Sequence, residues 1–140
     1  MELLHVHDST VRTALSETGG REIKHTGDGL MASFGSVARA VECAIKVQQE
    51  LTAENAVRLR IGISAGEPVE ESNDLFGAAV QLAARACGKA VAGQIIVSGV
   101  VRDLCIGKAF RFTDQGKARL KGFDEPVRLF EVSWRGGENG

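Results

Sequence analysis

The apolar residues of this chain recur with two spacings, one typical of α-helices and one typical of β-strands. Over residues 3–18 they follow helical spacing, and Gly19-Gly20 then supplies a stop. Over residues 37–51 they line one helical face while charged residues line the other, and Ser36 stands where an N-cap is expected. The sequence therefore predicts a helix over each of these two segments.

Residues 57–63 alternate between apolar and polar side chains, which is the spacing of a β-strand. The alternation puts the apolar side chains on one face, which we expect helices to cover. It puts Arg58, Arg60 and Gly62 on the other, which we expect to be polar.

The other segments are shorter. Two strands, at 22–26 and 30–34, flank Gly27-Asp28-Gly29 and predict a β-hairpin around an Asp-Gly turn. The remaining predictions are an acidic loop at 66–73, a helix at 76–92 closed by Gly93, a strand at 95–98, a helix from the cap Ser98 to 104, and strand-like pieces within 110–134.

This order of elements predicts an α+β fold with a mainly antiparallel sheet and helices on one face. A chain that begins with a helix and then enters a hairpin is similar to a ferredoxin-like (split βαβ) fold whose first strand is missing. We expect a single domain over 1–134, incomplete at its N-terminus, and a frayed tail at 135–140.

Length and composition narrow the class of protein. The chain has 140 residues, of which 44% are hydrophobic and 25% charged, as expected for one compact domain. A net charge of −1 argues against a dedicated nucleic-acid-binding protein, and no segment reaches the roughly 20 apolar residues that span a bilayer. Three widely spaced cysteines without a CxxC pattern indicate neither a disulfide framework nor a zinc site, so we expect a cytoplasmic protein.

Two segments carry side chains suited to chemistry, and each also has a purely structural interpretation. Lys24 lies near the middle of the first hairpin strand and Asp28 at its tip, but Asp-Gly is a common turn and a surface lysine is commonly only solvated. Gln81 and Arg85 are four residues apart and share a helical face, as they would on any surface helix. Neither segment by itself decides for a functional site.

Four motifs occur together in the chain. They are K-x-x-G-D-G beginning at Lys24, F-G-x-x-V-x-x-A-A-R beginning at Phe76, G-Q-I-I-V-S beginning at Gly93, and L-K-G-F beginning at Leu120. Each is weak alone, but in this order they resemble the catalytic domain of the class III adenylate and guanylate cyclases over residues 7–132. The resemblance implies a cyclase fold and a role in intracellular signalling.

The resemblance implies an adenylate cyclase reaction, a phosphorus-oxygen lyase chemistry on ATP. In the family the 3′-hydroxyl attacks the α-phosphorus, pyrophosphate leaves, and 3′,5′-cyclic AMP is formed. Arg85 corresponds to the residue that stabilises charge at the α-phosphate, and Lys121 to the lysine that meets the terminal phosphates. Lys24 and Asp74 correspond to the pair that reads adenine, which favours ATP over GTP.

The resemblance also implies two divalent cations, Mg²⁺ or Mn²⁺, clamped between two aspartates. Asp28 corresponds to the second aspartate, whereas the first belongs to the strand that we expect this chain to lack. The family's active sites lie between two subunits. The expected partners are therefore ATP and a second copy of the chain in a homodimer.

Gln81 departs from the family's pattern, which has Asn at this position. The amide is kept on a longer arm, and a positioning error of about 1 Å can lower a rate on the order of 100-fold. Together with the missing aspartate, this predicts weak turnover or none by the chain as given. The alternatives are a catalytically silent cyclase-homology module for dimerisation or nucleotide-dependent regulation, and a ferredoxin-like domain that senses a small molecule.

Overall fold

A computed structural model describes residues 2–3, 8–25, 30–53, 58–66, 69–71 and 74–135. Side chains are described over 11–23, 30–51, 58–66 and 77–135. The predicted tail beyond residue 135 lies outside the described residues.

The described residues form four helices and nine strands. The helices are α1 (Asp8–Thr18), α2 (Val37–Ala53), α3 (Ala78–Lys89) and α4 (Gly99–Leu104). The strands are β1 (Glu2–Leu3), β2 (Arg21–His25), β3 (Leu30–Ser33), β4 (Ile61–Ile63), β5 (Val69–Glu71), β6 (Asp74–Phe76), β7 (Ile95–Ser98), β8 (Phe112–Ala118) and β9 (Val127–Val132).

Within the described part of the chain, seven of these strands form one sheet in the order β2-β3-β1-β4-β7-β9-β8. All neighbours in it are antiparallel except β4 and β7. The predicted hairpin is confirmed as β2 and β3, and the predicted helix after Ser36 is confirmed as α2, since the Ser36 hydroxyl accepts a hydrogen bond from the Arg39 amide at 3.3 Å. The α+β fold with a mainly antiparallel sheet is thus confirmed.

The N-terminal prediction is wrong in two respects. Of the helix predicted over 3–18, the structure has α1 from Asp8 to Thr18, whereas Leu3 belongs to β1 (Glu2–Leu3) and residues 4–7 lie outside the described residues. We also expected a sheet without its first strand, but β1 pairs with β3 on one side and β4 on the other, so it fills the gap between them. The formation of β1 depends on its pairing with the distant strands β3 and β4, and two residues are too few to show a periodicity in the sequence.

Of the strand predicted over 57–63, residue 57 lies outside the described residues and residues 58–60 are not strand, since β4 begins at Ile61. The buried amide of Gln48 explains the difference, because its nitrogen donates to the Leu59 carbonyl at 2.7 Å. The Gly93 amide donates to the same carbonyl at 2.8 Å. The backbone of Leu59 is therefore paired with a helix side chain and a loop rather than with a neighbouring strand.

The helices do not all lie on one face of the sheet, so the prediction that they share one face is wrong. Ile95 and Val97 face the main core with α1, α2 and α4, whereas Ile96 faces a second core with Ala86 of α3 and with Ala90, which follows α3. Gly62 makes this possible, because a Cβ built there would lie 2.3 Å from the Ala83 carbonyl oxygen and 2.3 Å from the Cys87 amide nitrogen. The face expected to be polar at Gly62 is covered by α3.

The segment before α3 also differs from its prediction. The acidic loop predicted over 66–73 contains β5, which pairs with β6 in a small hairpin. Phe76 belongs to β6, Gly77 precedes the helix with φ +117°, and α3 ends at Lys89 rather than at residue 92. Glycine tolerates this backbone conformation, which ends the strand and starts the helix within one residue.

The three cysteines are free and buried, as expected of small apolar groups. Burial raises the pKa of Cys43 and of Cys105, which keeps both thiols protonated at neutral pH.

Candidate functional site

A tight turn at Leu120-Lys121-Gly122-Phe123 forms one side of the candidate site. The Phe123 amide donates to the Leu120 carbonyl at 3.1 Å, and Gly122 has φ +90°, the value required at the third position of a type II turn. Leu120 is buried and Phe123 partly buried in the second core. The two apolar residues of the motif therefore anchor the turn, and Lys121 and Gly122 form its exposed tip.

Helix α3 brings the other side of the site. Its Arg85 donates from Nε to the Lys121 carbonyl at 3.2 Å. One turn earlier, the amide of Gln81 lies against Gly122, where a Cβ would be 3.3 Å from Gln81 Oε1. The structure thus brings together three of the six predicted site residues, Gln81, Arg85 and Lys121, within one protomer.

The charges at this cluster suit an anion. Arg85 is half-buried and Lys121 exposed, and neither forms an ion pair with another residue that the structure describes. Nε of Arg85 donates to a carbonyl, and the two terminal nitrogens of the guanidinium carry the other four N–H donors. An arginine fork and a lysine point charge together can bind a phosphate group.

The remaining predicted residues are placed only by their backbones or not at all. Lys24 lies in β2, opposite Met31 of β3, at a register shift that follows Glu22. Asp74 opens β6, and β2 lies beside β6, so the strands that carry these two residues are neighbours. Asp28 falls outside the described residues.

The expected metal site stays a prediction. Among the side chains that the structure describes, no three His, Cys, Asp or Glu residues lie close enough together to hold a metal ion. The candidate ligand of this chain is Asp28, and a single carboxylate holds a hydrated Mg²⁺ weakly.

A family profile described as the adenylate and guanylate cyclase catalytic domain matches residues 1–133. The chain belongs to this cyclase family. Among curated relatives, a putative adenylate cyclase 3 of Rhizobium meliloti (strain 1021) is 36% identical over 122 residues, covering 81% of this chain and 21% of its own length. A pH-sensitive adenylate cyclase of Mycobacterium tuberculosis (strain CDC 1551 / Oshkosh) is 34% identical over 116 residues, covering 79% of this chain and 29% of its own length.

The fold of this cyclase domain also matches solved structures. An adenylate/guanylate cyclase/hydrolase of Silicibacter pomeroyi superposes with a TM-score of 0.82 at 32% identity, covering 89% of this chain and 79% of that one. An adenylate cyclase of Trypanosoma brucei superposes with a TM-score of 0.80 at 20% identity, covering 94% of this chain and 78% of that one, which supports the fold alone. The cyclase domain spans 21% and 29% of the length of these two curated relatives.

Two features of the cyclase domain were missed by sequence reasoning. The first is the neighbour of Gly122, because the L-K-G-F motif indicates the turn but does not show that Gly122 faces Gln81. The second feature is a cleft of about 310 Å³ lined by 31–37 and 63–66, with Ala79 and Val80 of α3 also contributing. Glu2 of β1 pairs with Met31 of β3 and with Gly62 of β4. The cleft is lined by residues of β3 and β4 that follow these two paired positions.

No described helix of the cyclase domain is long and apolar enough to cross a membrane.

Proposed function

We propose that this domain is an adenylate cyclase domain that converts ATP into 3′,5′-cyclic AMP and pyrophosphate. The observation that carries the proposal is the contact of α3 with the Lys121-Gly122 turn, which joins Arg85 and Gln81 to the backbone of the turn that carries Lys121. Neither Arg85 nor Lys121 forms an ion pair with a described residue. The adenylate cyclase names of the relatives support this substrate.

Arg85 and Lys121 bind different phosphates of the triphosphate. The Nε contact to the Lys121 carbonyl holds the guanidinium in place before substrate binds, so its terminal N–H groups face the α-phosphate without reorganisation. Charge that develops on the α-phosphoryl oxygens during attack is stabilised by these donors. Lys121 meets the terminal phosphates and holds the leaving pyrophosphate as a compact point charge.

Lys24 and Asp74 are proposed to read the base. A lysine donates to adenine N1 while a carboxylate accepts from the 6-amino group, and guanine presents the opposite pattern. The adjacency of β2 and β6 supports this assignment, because the two residues start from neighbouring strands.

The paired substitution Lys24→Glu with Asp74→Cys is expected to weaken ATP binding relative to GTP binding, since it removes the donor and the acceptor that adenine needs. Calorimetric titration of the double variant with each nucleotide measures the ratio of the two dissociation constants. An unchanged ratio would remove both residues from the base site.

A homodimer is proposed as the active form, with each site built from two protomers. One protomer supplies Lys24, Asp74, Gln81, Arg85 and Lys121, and the other supplies Asp28 toward the metals. Bound Mg²⁺ or Mn²⁺ would lower the pKa of the 3′-hydroxyl and neutralise the leaving phosphates.

Incubation of the purified chain with ATP and Mn²⁺ is expected to give slow formation of cyclic AMP and pyrophosphate, and less cyclic GMP when GTP is supplied. The rate is expected to be low because Gln81 carries its amide on a longer arm than the family's Asn. Chromatography of the products against cyclic nucleotide standards measures it. Absence of both turnover and ATP binding would contradict the proposal.

The second candidate function is a silent module that binds nucleotide or dimerises without turnover. The position of Gln81 favours it, because its amide lies against Gly122 rather than standing free beside Arg85. ATP binding with no cyclic AMP formed would support this function over the first.

A further inference from the structure

The Leu120–Phe123 turn and helix α3 are fixed to the same apolar cluster. Leu120 is 5% exposed and Ala86 is fully buried, and both pack with Ile96 of β7 and Leu129 of β9. Phe123 adds to the cluster from the other end of the turn. Because both parts share one core, the turn tip has little freedom to slide along α3.

Gly122 is the point where the tip meets the helix. Its φ of +90° is a conformation that residues with a Cβ rarely adopt. A Cβ there would also lie 3.3 Å from Oε1 of Gln81, which would have to move by a few tenths of an ångström, whereas the 4.0 Å to Cδ is an ordinary contact. Gln81 is exposed, so its side chain would swing away from the turn, which moves its amide out of the cluster with Arg85 and Lys121.

We propose that Gly122 is a positioning residue, which makes room for the long arm of Gln81 and directs the Lys121 carbonyl onto Arg85 Nε. Its bare backbone holds Gln81, Arg85 and Lys121 as one unit; that this unit binds a nucleoside triphosphate rests on the function proposed above.

A double-mutant cycle separates the contact from the backbone strain. The variants are Gly122→Ala, Gln81→Asn and the combination of the two. Strain at φ +90° is common to both variants that carry Gly122→Ala, whereas the contact with residue 81 is relieved when the arm is one methylene shorter. Any difference between the two backgrounds therefore reports the contact.

The first readout is binding of an ATP analogue with a methylene group between the α- and β-phosphates, measured by calorimetry. In the parent background, which keeps Gln81, Gly122→Ala is expected to weaken binding about five- to tenfold. In the Gln81→Asn background the same change is expected to weaken it less than about twofold. Equal weakening in both backgrounds would overturn the proposal.

Gly107→Ala is the matched control. Gly107 has φ +91°, nearly the same as Gly122, and a Cβ there would meet none of the described atoms within 4 Å. It should lower stability through the same backbone strain and leave analogue binding unchanged. A comparable loss of binding in this control would show that strain alone explains the Gly122 result, which also overturns the proposal.

The second readout does not need a nucleotide. The Arg85 Nε–H resonance, assigned by its loss in Arg85→Ala, is expected to shift and exchange faster in Gly122→Ala and to recover in the combined variant. If the chain binds no nucleotide but this pattern appears, the proposed function fails and the positioning role stands. If the resonance is unaffected by Gly122→Ala, the positioning role fails.

Discussion

Replacing Arg85 with alanine is expected to lower kcat for cyclic AMP formation by about 100- to 1000-fold, the range for removing one preorganised donor from a developing oxyanion. The guanidinium is held through Nε by the Lys121 carbonyl at 3.2 Å, so its remaining donors are oriented before attack begins. The interaction strengthens as charge develops, so kcat should fall much more than KM changes. Initial rates at saturating and limiting ATP with Mn²⁺ measure both constants.

Two comparisons sharpen this test. Arg85→Lys keeps the charge but lacks the planar fork and the Nε donor, and it is expected to recover only part of the rate. Lys108→Ala removes an exposed cation from the loop after α4 and should leave the rate unchanged. A kcat of Arg85→Ala within about threefold of the parent value would be a smaller change than the loss of one hydrogen bond to a charged group produces. Arg85 would then not act on the transition state.

Sequence alone predicted the elements whose signals are local. Helix α2 has a cap at Ser36 and a continuous apolar face, and the strands β2 and β3 were predicted from two short patterns on either side of an Asp-Gly sequence that lies outside the described residues. Helix α4 was predicted from Ser98, whose hydroxyl accepts from the Val101 amide at 3.4 Å. In each case neighbouring residues determine the structure, so periodicity and caps suffice.

The elements that were missed depend on partners far along the chain. Two-residue β1 exists because β3 and β4 flank it, and β4 starts late because Gln48 takes the backbone of Leu59. The position of α3 depends on a single glycine, Gly62, that a pattern of alternating residues had placed on a polar face. Alternation shows which face a side chain occupies but not what covers that face.

The site divides in the same way. Motif resemblance supplied the residue types, and α3 and the turn do bring Gln81, Arg85 and Lys121 together. It could not supply the contact between them, because that contact uses the carbonyl of Lys121 and the missing side chain of Gly122. A sequence motif identifies side chains, whereas in this site backbone atoms of Lys121 and Gly122 make the contacts with α3.

Gly62→Ala is expected to destabilise the domain by about 3 kcal/mol or more, at the upper end of the effect of overpacking a core. The added methyl group would lie 2.3 Å from backbone atoms of both Ala83 and Cys87, and no side-chain rotation relieves a clash with backbone. Helix α3 must move off the sheet, which also separates Arg85 from Lys121. Urea denaturation measures the loss, and the melting temperature should fall on the order of 10 °C.

Gly88→Ala, in the same helix, is the matched control with the opposite sign. A Cβ at Gly88 would meet none of the described atoms within 4 Å, and alanine is the better helix former, so we expect about 0.5–1 kcal/mol of stabilisation. The two variants add the same methyl group to the sequence, one between helix and sheet and one toward solvent. If both change stability by a similar small amount, α3 does not depend on close approach at Gly62, and the two-sided covering of the sheet is wrong.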